Sequence, residues 1–399
     1  MIARPAGLPL PLDLMQRVAT GLGAGRAISL EPASLLQAAR QLECAEDFGD
    51  PSFEVPLELL VRSLEQDADL HVLGRIHLRD VIVRALRTRL RLTRLLARRP
   101  HLAAGPPQAP LIVCGLPRTG TTLLHRLLAA LPTLHGLPLW KLVEPIPPAG
   151  PDRRLAQARR RHARLAWVSG RRIDAQHLMA PELPEECGHL FRPSFMSPSY
   201  AVAPALGYLR HYPDCDARPA YREYRALLGL LAEEPPVLGG RLVLKDPFHA
   251  LFLDALYETM PGAMVVQTHR DPQRVVPSLT KLLTTAHGVV TRRLDMPRVA
   301  GALQDWLQTL AQRSVDRASE GRHPVYDLDY RALVADPIQT VETLHHHFGL
   351  PFDPAWRTLL QAELDAAASR LPNRYTAAAY GLDPDRIDKA FAPYVRQFL

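Results

Sequence analysis

The stretch "GLPRTGTT" (Gly115–Thr122) has the spacing of a phosphate-binding loop: glycine, four residues, glycine, then two more. Apolar "LIVC" precedes it and amphipathic "LLHRLL" follows, so a strand, a tight loop and a helix are expected in that order. Such a unit aims backbone N–H groups and the positive end of a helix at one point. An anion there gains roughly 0.3–1 kcal/mol from the dipole alone. A nucleotide triphosphatase carries Lys and then Ser or Thr after the second glycine. Here both positions are threonine, Thr121 and Thr122, and the cation sits earlier, on Arg118, next to Thr119. Triphosphate chemistry needs Lys and Mg²⁺ to neutralise the charge on the transferred phosphoryl group. A cradle of Arg and Thr without that lysine suits a less charged group such as sulfuryl, moved without a metal.

Two further stretches offer anion contacts. In "VVQTHRDPQRVVPSLTKLL" a strand is expected to end near His269 and a helix to begin near Pro272. Arg270 then lies at the carboxyl edge of a sheet, with Ser278 on the following helix, and the two can clamp one phosphate. Pairing of Arg270 with Asp271 or Glu258 is the simpler alternative. In "LVLKDPFH" the strand ends on Lys245, where an ammonium can stabilise a leaving phosphate oxygen. A Lys245–Asp246 surface pair is the alternative there, and the apolar run before it argues against exposure.

These residues need elements to hold them. The chain has 399 residues, 47% of them hydrophobic, and a net charge of +7. It can bury a full core, and its basic balance suits acidic ligands. Residues 1–105 read as a helical N-terminal extension. Within it Ser29 is placed to cap a helix, and Arg84, Arg87, Arg91, Arg94 and Arg98 form a basic stripe beside the row Leu78, Ile82, Leu86, Leu90. Such a stripe is usually a solvated face; nucleic-acid binding is the other reading. After "PHLAAGPPQAP" the rhythm becomes α/β over 106–399. "LIVCG", "RLVLKD", "AMVVQTHRD" and "HPVYDLDY" read as strands of a P-loop-like parallel sheet flanked by helices. A helical insertion over 152–236, rich in aromatics, is placed to lie above the strand ends. Four well-separated cysteines, an N-terminus without a sustained apolar run and no span of about 18 apolar residues make a cytoplasmic chain without a membrane span the expectation. His345, His346 and His347 read as a surface run.

Together these stretches resemble the superfamily of sulfotransferases that use 3′-phosphoadenosine 5′-phosphosulfate (PAPS). "GLPRTGTTLLHRLL" is similar to the family's 5′-phosphosulfate loop, "HRDPQRVVPSLTKL" to its 3′-phosphate motif and "LKDPFH" to a lysine-bearing segment of the tyrosylprotein branch. "CAEDFGDPSF", "LPEECGHL", "YRALVADPIQTVETLHHHFGLP" and "YGLDPDRI" match a bacterial group with a helical N-terminal extension, so the likeness runs from about Leu36 to Tyr394. The resemblance implies PAPS as co-substrate, 3′,5′-adenosine bisphosphate (PAP) as product, no metal and a small-molecule acceptor rather than nucleic acid. It implies that Gly115, Pro117, Arg118, Thr119, Gly120, Thr121 and Thr122 hold the phosphosulfate, that Arg270 and Ser278 bind the 3′-phosphate, and that Lys245 assists departure of the phosphate. Arg374, in "NRYTAAAYGLD", is a further candidate phosphate contact. The chain departs from the cytosolic members at Arg118, where they carry Lys, and at Leu123, where an aromatic is usual. Related sequences place an acidic base shortly after a tryptophan; here Lys141 follows Trp140. Glu144 and His177, the latter with Glu185 and Glu186 behind it, are equal candidates for the base. A P-loop kinase or NTPase and a non-catalytic basic nucleotide- or nucleic-acid-binding protein are the competing functions.

Overall fold

The computed structural model describes residues 24–368 and 376–399, with a few isolated positions before residue 24. Its centre is a five-stranded sheet of β1 (Leu111–Gly115), β2 (Leu134–Gly136), β3 (Arg241–Lys245), β4 (Met264–His269) and β5 (Val325–Asp329). The order is β2-β3-β1-β4-β5 and every pairing is parallel. From β1 the chain runs to β2 and then β3 on one side, and crosses to β4 on the other. That reversal opens a crevice at the carboxyl end of β1, the place where open α/β sheets bind ligands.

β-branched and leucine-rich runs form these strands because both faces are covered. Ile112, Cys114, Leu242, Leu244 and Val265 enter a large core on one face; Leu111, Val113, Val243 and Val266 enter a smaller one on the other. The longer helices are α1 (Pro32–Glu43), α2 (Glu54–Asp67), α3 (Val72–Arg98), α4 (Thr121–Ala129), α5 (Arg154–Val168), α6 (Arg218–Glu233), α7 (Pro272–Val290), α8 (Met296–Glu320), α9 (Pro337–His347), α10 (Arg357–Ala368) and α11 (Pro384–Phe398). The smaller core takes Leu124, Leu127 and Leu128 of α4. The larger runs without interruption from Leu35 of α1 and Leu78, Ile82 and Leu86 of α3 through the aromatics of the insertion to the sheet. Arg89 bolts the N-terminal helices to the rest: it is buried, pairs with Glu223 of α6 at 2.6 Å, and lies 4.2 Å over the Phe53 ring.

Four details differ from expectation. The sheet has a fifth strand, β2, whose three residues carry no β-branched side chain. Glu31 rather than Ser29 precedes α1 at its N-cap, and Ser29 Oγ accepts from the Glu31 N–H at 3.1 Å. The basic stripe is largely paired: Arg87, Arg91 and Arg94 meet the Glu43 carboxylate at 2.7, 2.6 and 3.1 Å, and Arg84 meets Asp80 at 3.0 Å. His345 is buried, its Nδ1 2.7 Å from the Pro351 carbonyl, so the histidine triplet is only partly a surface run.

Candidate active site

The loop after β1 has a backbone that few residue types tolerate. Gly115 has φ +128°, and a Cβ there would lie 2.3 Å from the Thr268 carbonyl oxygen of β4. Gly120, at φ +91°, turns the chain into α4, and a Cβ there would meet the Tyr330 ring at 2.9 Å. Arg118 lies in the left-handed region at φ +71°. For a residue with a Cβ that conformation costs roughly 1–2 kcal/mol and is concentrated at functional sites. Thr119 turns away from the crevice. Its hydroxyl donates to the Leu116 carbonyl at 2.6 Å, lies 2.5 Å from Thr268 Oγ1, and is fully buried. The side chain of Thr119 therefore braces the loop, and only its backbone faces the role assigned to it. Thr121 and Thr122 open the first turn of α4.

Arg118, Arg270 and Ser278 meet at this loop from three elements. Arg118 Nε donates to Ser278 Oγ at 3.1 Å, and its terminal nitrogen donates to the Gln176 carbonyl at 3.3 Å. Arg270, one residue past β4, donates to the Arg118 carbonyl at 2.9 Å and stacks on the Tyr330 ring at 4.0 Å. The two acids weighed as its partners are engaged elsewhere. Asp271 caps α7 by accepting from the Gln273 N–H at 2.9 Å, and Glu258 pairs with Arg218 at 2.7 Å. Among the described residues Arg270 has no carboxylate partner. The segment around Gln176 is pinned beside the loop by a 2.8 Å bond to Thr285 of α7 and by Arg126 on the Leu178 carbonyl at 3.0 Å.

Lys245, the last residue of β3, is completely buried, which removes the surface-pair alternative. Its Nζ donates to Glu186 Oε1 at 2.8 Å and lies 3.4 Å from Glu185 Oε1. Glu185 in turn is 3.2 Å from His177 Nε2 through both oxygens. Burial alone would raise the Glu185 carboxyl, but His177 and Lys245 overcome it and hold the group well below the ordinary carboxylate range. Burial likewise works against the Lys245 ammonium, and Glu186 and Glu185 reverse it, so the group stays protonated above its ordinary value. Asp246, next in the chain, is pushed up to about 8 by burial and by Glu186. The donor atoms of His177, Glu185 and Glu186 lie within 4.8 Å of one another, the spacing of a cation site, and Lys245 supplies the cation.

The two base candidates separate. His177 belongs to the Lys245 cluster, whereas the Glu144 carboxylate accepts from Arg161 of α5 at 2.9 Å and its carbonyl accepts from Arg154 at 3.1 Å. Glu185 and Glu186 as partners of Lys245 escaped the sequence reading, because 60 and 59 residues separate them from it. Arg374 lies outside the described residues.

The loop after β1 carries Arg118, Arg270 follows β4 and the buried Lys245 ends β3, so the three cations stand at the carboxyl ends of three neighbouring strands of the parallel sheet. The Sulfotransferase family model matches residues 110–354, and the chain belongs to that family. Among curated proteins, the omega-hydroxy-beta-dihydromenaquinone-9 sulfotransferases Stf3 of Mycobacterium bovis and Mycobacterium tuberculosis are each 32% identical over 116 residues. That match spans 27% of this chain and 29% of each relative, less than a third of their length. The crystal structure of sulfotransferase STF1 from M. tuberculosis H37Rv is similar over 90% of this chain and 98% of its own, at 29% identity and a TM-score of 0.73. Sulfotransferase STF9 from Mycobacterium avium shares the fold over 92% of this chain and 96% of its own, with TM-score 0.81 and 24% identity.

Proposed function

We propose that the chain transfers a sulfuryl group from PAPS to a hydroxyl or amine of a small-molecule acceptor by metal-free in-line displacement, releasing PAP. The observation that supports this most is the meeting of Arg118, Arg270 and Ser278 at one loop, with an Arg270 guanidinium that no carboxylate neutralises among the described residues. In this reading Arg118 and the loop amides of Gly115–Thr122 hold the phosphosulfate, with forked donors suited to its oxygens. Arg270 and Ser278 take the 3′-phosphate, and Lys245 stabilises the phosphate oxygen that departs. His177 is the favoured base over Glu144, because Glu185 orients its ring and Glu144 is spent on Arg161. A His oriented by a carboxylate contributes roughly 10²–10⁴-fold as a general base. Positioning and electrostatics supply the remainder.

Pairing of the α3 arginines with Glu43 takes support from the nucleic-acid reading. Among the described residues no helix is long and apolar enough to cross a membrane, and the four cysteines are free thiols, which favours the cytoplasmic reading. The direct test is transfer of radiolabel from sulfur-labelled PAPS to a panel of phenols, alcohols and amines, with and without EDTA. Transfer that EDTA leaves unchanged is the expected result. Label that stays in PAPS across the panel, or transfer that EDTA abolishes, overturns the proposal.

A further inference from the structure

The 3₁₀ helix Cys187–Ser194 begins at Glu186, its N-cap. Three residues per turn bring Glu186, His189 and Arg192 onto one face, and about 2.0 Å of rise per residue sets Arg192 roughly 12 Å along the axis from Glu186. The near end of this face is the Lys245 contact already described. The far end opens into a cleft between α3 and the turn after Leu142, lined by Arg84, Thr88, Val143, Pro145, His189 and Arg192. The cleft holds a void of about 20 Å³.

The polar groups in this cleft are incompletely matched. Arg84 pairs with Asp80 at 3.0 Å, and on the rim Arg161 pairs with Glu144 at 2.9 Å. Arg192 instead donates to a neutral group, Ser199 Oγ, at 2.8 Å, and among the described residues it has no carboxylate partner. Three guanidiniums therefore face two carboxylates, and the unmatched charge is Arg192. Burial pulls its guanidinium down to about 10, with Arg84 adding to the effect. His189 Nδ1 is buried with no hydrogen-bond partner, and burial followed by the Arg192 charge keeps its ring neutral. His189 follows Glu186, the residue that meets Lys245, by one turn of this helix, so the cleft begins one turn from that contact. A half-buried, unmatched guanidinium beside an orphaned imidazole nitrogen is costly unless a ligand answers both.

We propose that this cleft is the anchoring subsite of the acceptor and takes a carboxylate, so that the acceptor is a hydroxy acid. Its carboxylate pairs with the Arg192 fork, with the His189 Nδ1–H tautomer as the second donor, and its hydroxyl lies at the Lys245–Glu186 end. The planar, two-oxygen geometry of a carboxylate matches a guanidinium edge-on. The inference rests on the sulfotransferase reading and names its substrate class.

The test is isothermal titration of the full chain with 10-hydroxydecanoate and with its methyl ester, each with and without saturating PAP. The subsite predicts that the acid binds at least about tenfold more tightly than the ester, the scale of one charge-assisted bond. Arg192→Gln should collapse the acid to the affinity of the ester, and Arg192→Lys should restore part of the preference. PAP affinity in each variant reports that it is folded. Equal binding of acid and ester to the wild-type chain, binding of neither, or a preference that survives Arg192→Gln overturns the subsite. Failure of PAP to bind sinks the sulfotransferase reading instead, and the PAP-free titrations still decide the subsite.

Discussion

Replacing Lys245 with Met removes the cation from a pocket that holds two carboxylates. Lys245 is fully buried and Glu185 is only 4% exposed, whereas the Glu186 side chain is 34% exposed and water screens part of its loss. Taking one partner from a buried ion pair costs roughly 3–5 kcal/mol, because the remaining charge is left without compensation. Glu185 keeps His177 at 3.2 Å, which places the expected loss near the lower end of that range. The pH dependence follows from the sign of the shift. His177 and Lys245 together hold the Glu185 carboxyl well below its ordinary value, so the stability that Lys245 lends is present above the unfolded carboxyl value and is lost as pH falls through the folded one. The destabilisation is therefore full at pH 7.5 and shrinks in acid. Urea unfolding at pH 7.5 and at about pH 3.5, below the ordinary carboxyl value, reads both quantities. The double variant Lys245→Met/Glu186→Gln should recover part of the stability, since it deletes the stranded charge. Turnover with PAPS should fall roughly 10²–10³-fold in both variants, the scale for losing one preorganised donor. A single variant within about 1 kcal/mol of wild type at both pH values, or one that keeps its turnover, refutes the reasoning.

Arg270→Gln should weaken PAP binding roughly 10- to 100-fold, the worth of a hydrogen bond to a charged group, measured by titration calorimetry. His177→Asn should lower kcat by roughly 10²-fold or more while Glu144→Gln leaves it within a few-fold; the reverse ranking moves the base to Glu144. Gly115→Ala should cost at least about 1–3 kcal/mol in thermal unfolding, because the added Cβ meets the Thr268 carbonyl and φ is positive. Glu185 is held ionised by His177 and Lys245, so its contribution to stability is present above the unfolded carboxyl value and is lost as pH falls through the folded one. Glu185→Gln should therefore flatten the acid limb of the stability curve, read by urea unfolding between pH 6 and pH 3.

The sheet and the loop were legible because local rules set them. Continuous apolar strands with a glycine at each end of the turn have few alternatives, and the ends of β4 and β3 follow from the charged residue that stops each run. β2 escaped because Leu134, His135 and Gly136 have no strand propensity of their own and pair only because β3 lies alongside. Thr119 shows the limit at side-chain level. Its spacing is right for a phosphate contact, yet a neighbouring hydroxyl 149 residues away, Thr268, takes its side chain inward. The partners of Lys245 were hidden for the same reason: the contact joins the insertion to a strand, and nothing near either stretch announces the other. Glu144 and His177 looked alike as isolated residues, and only Arg161 on one and Glu185 on the other tell them apart.

Thermal and chemical unfolding of the full chain with PAP, AMP, and ATP with and without Mg²⁺ tests the central claim most directly. A ligand at 100 times its Kd adds roughly 2.7 kcal/mol to stability. The PAPS reading predicts that gain from PAP, indifferent to Mg²⁺, with AMP far weaker and the PAP effect lost in Arg270→Gln. A larger gain from ATP with Mg²⁺, or none from PAP, would contradict it.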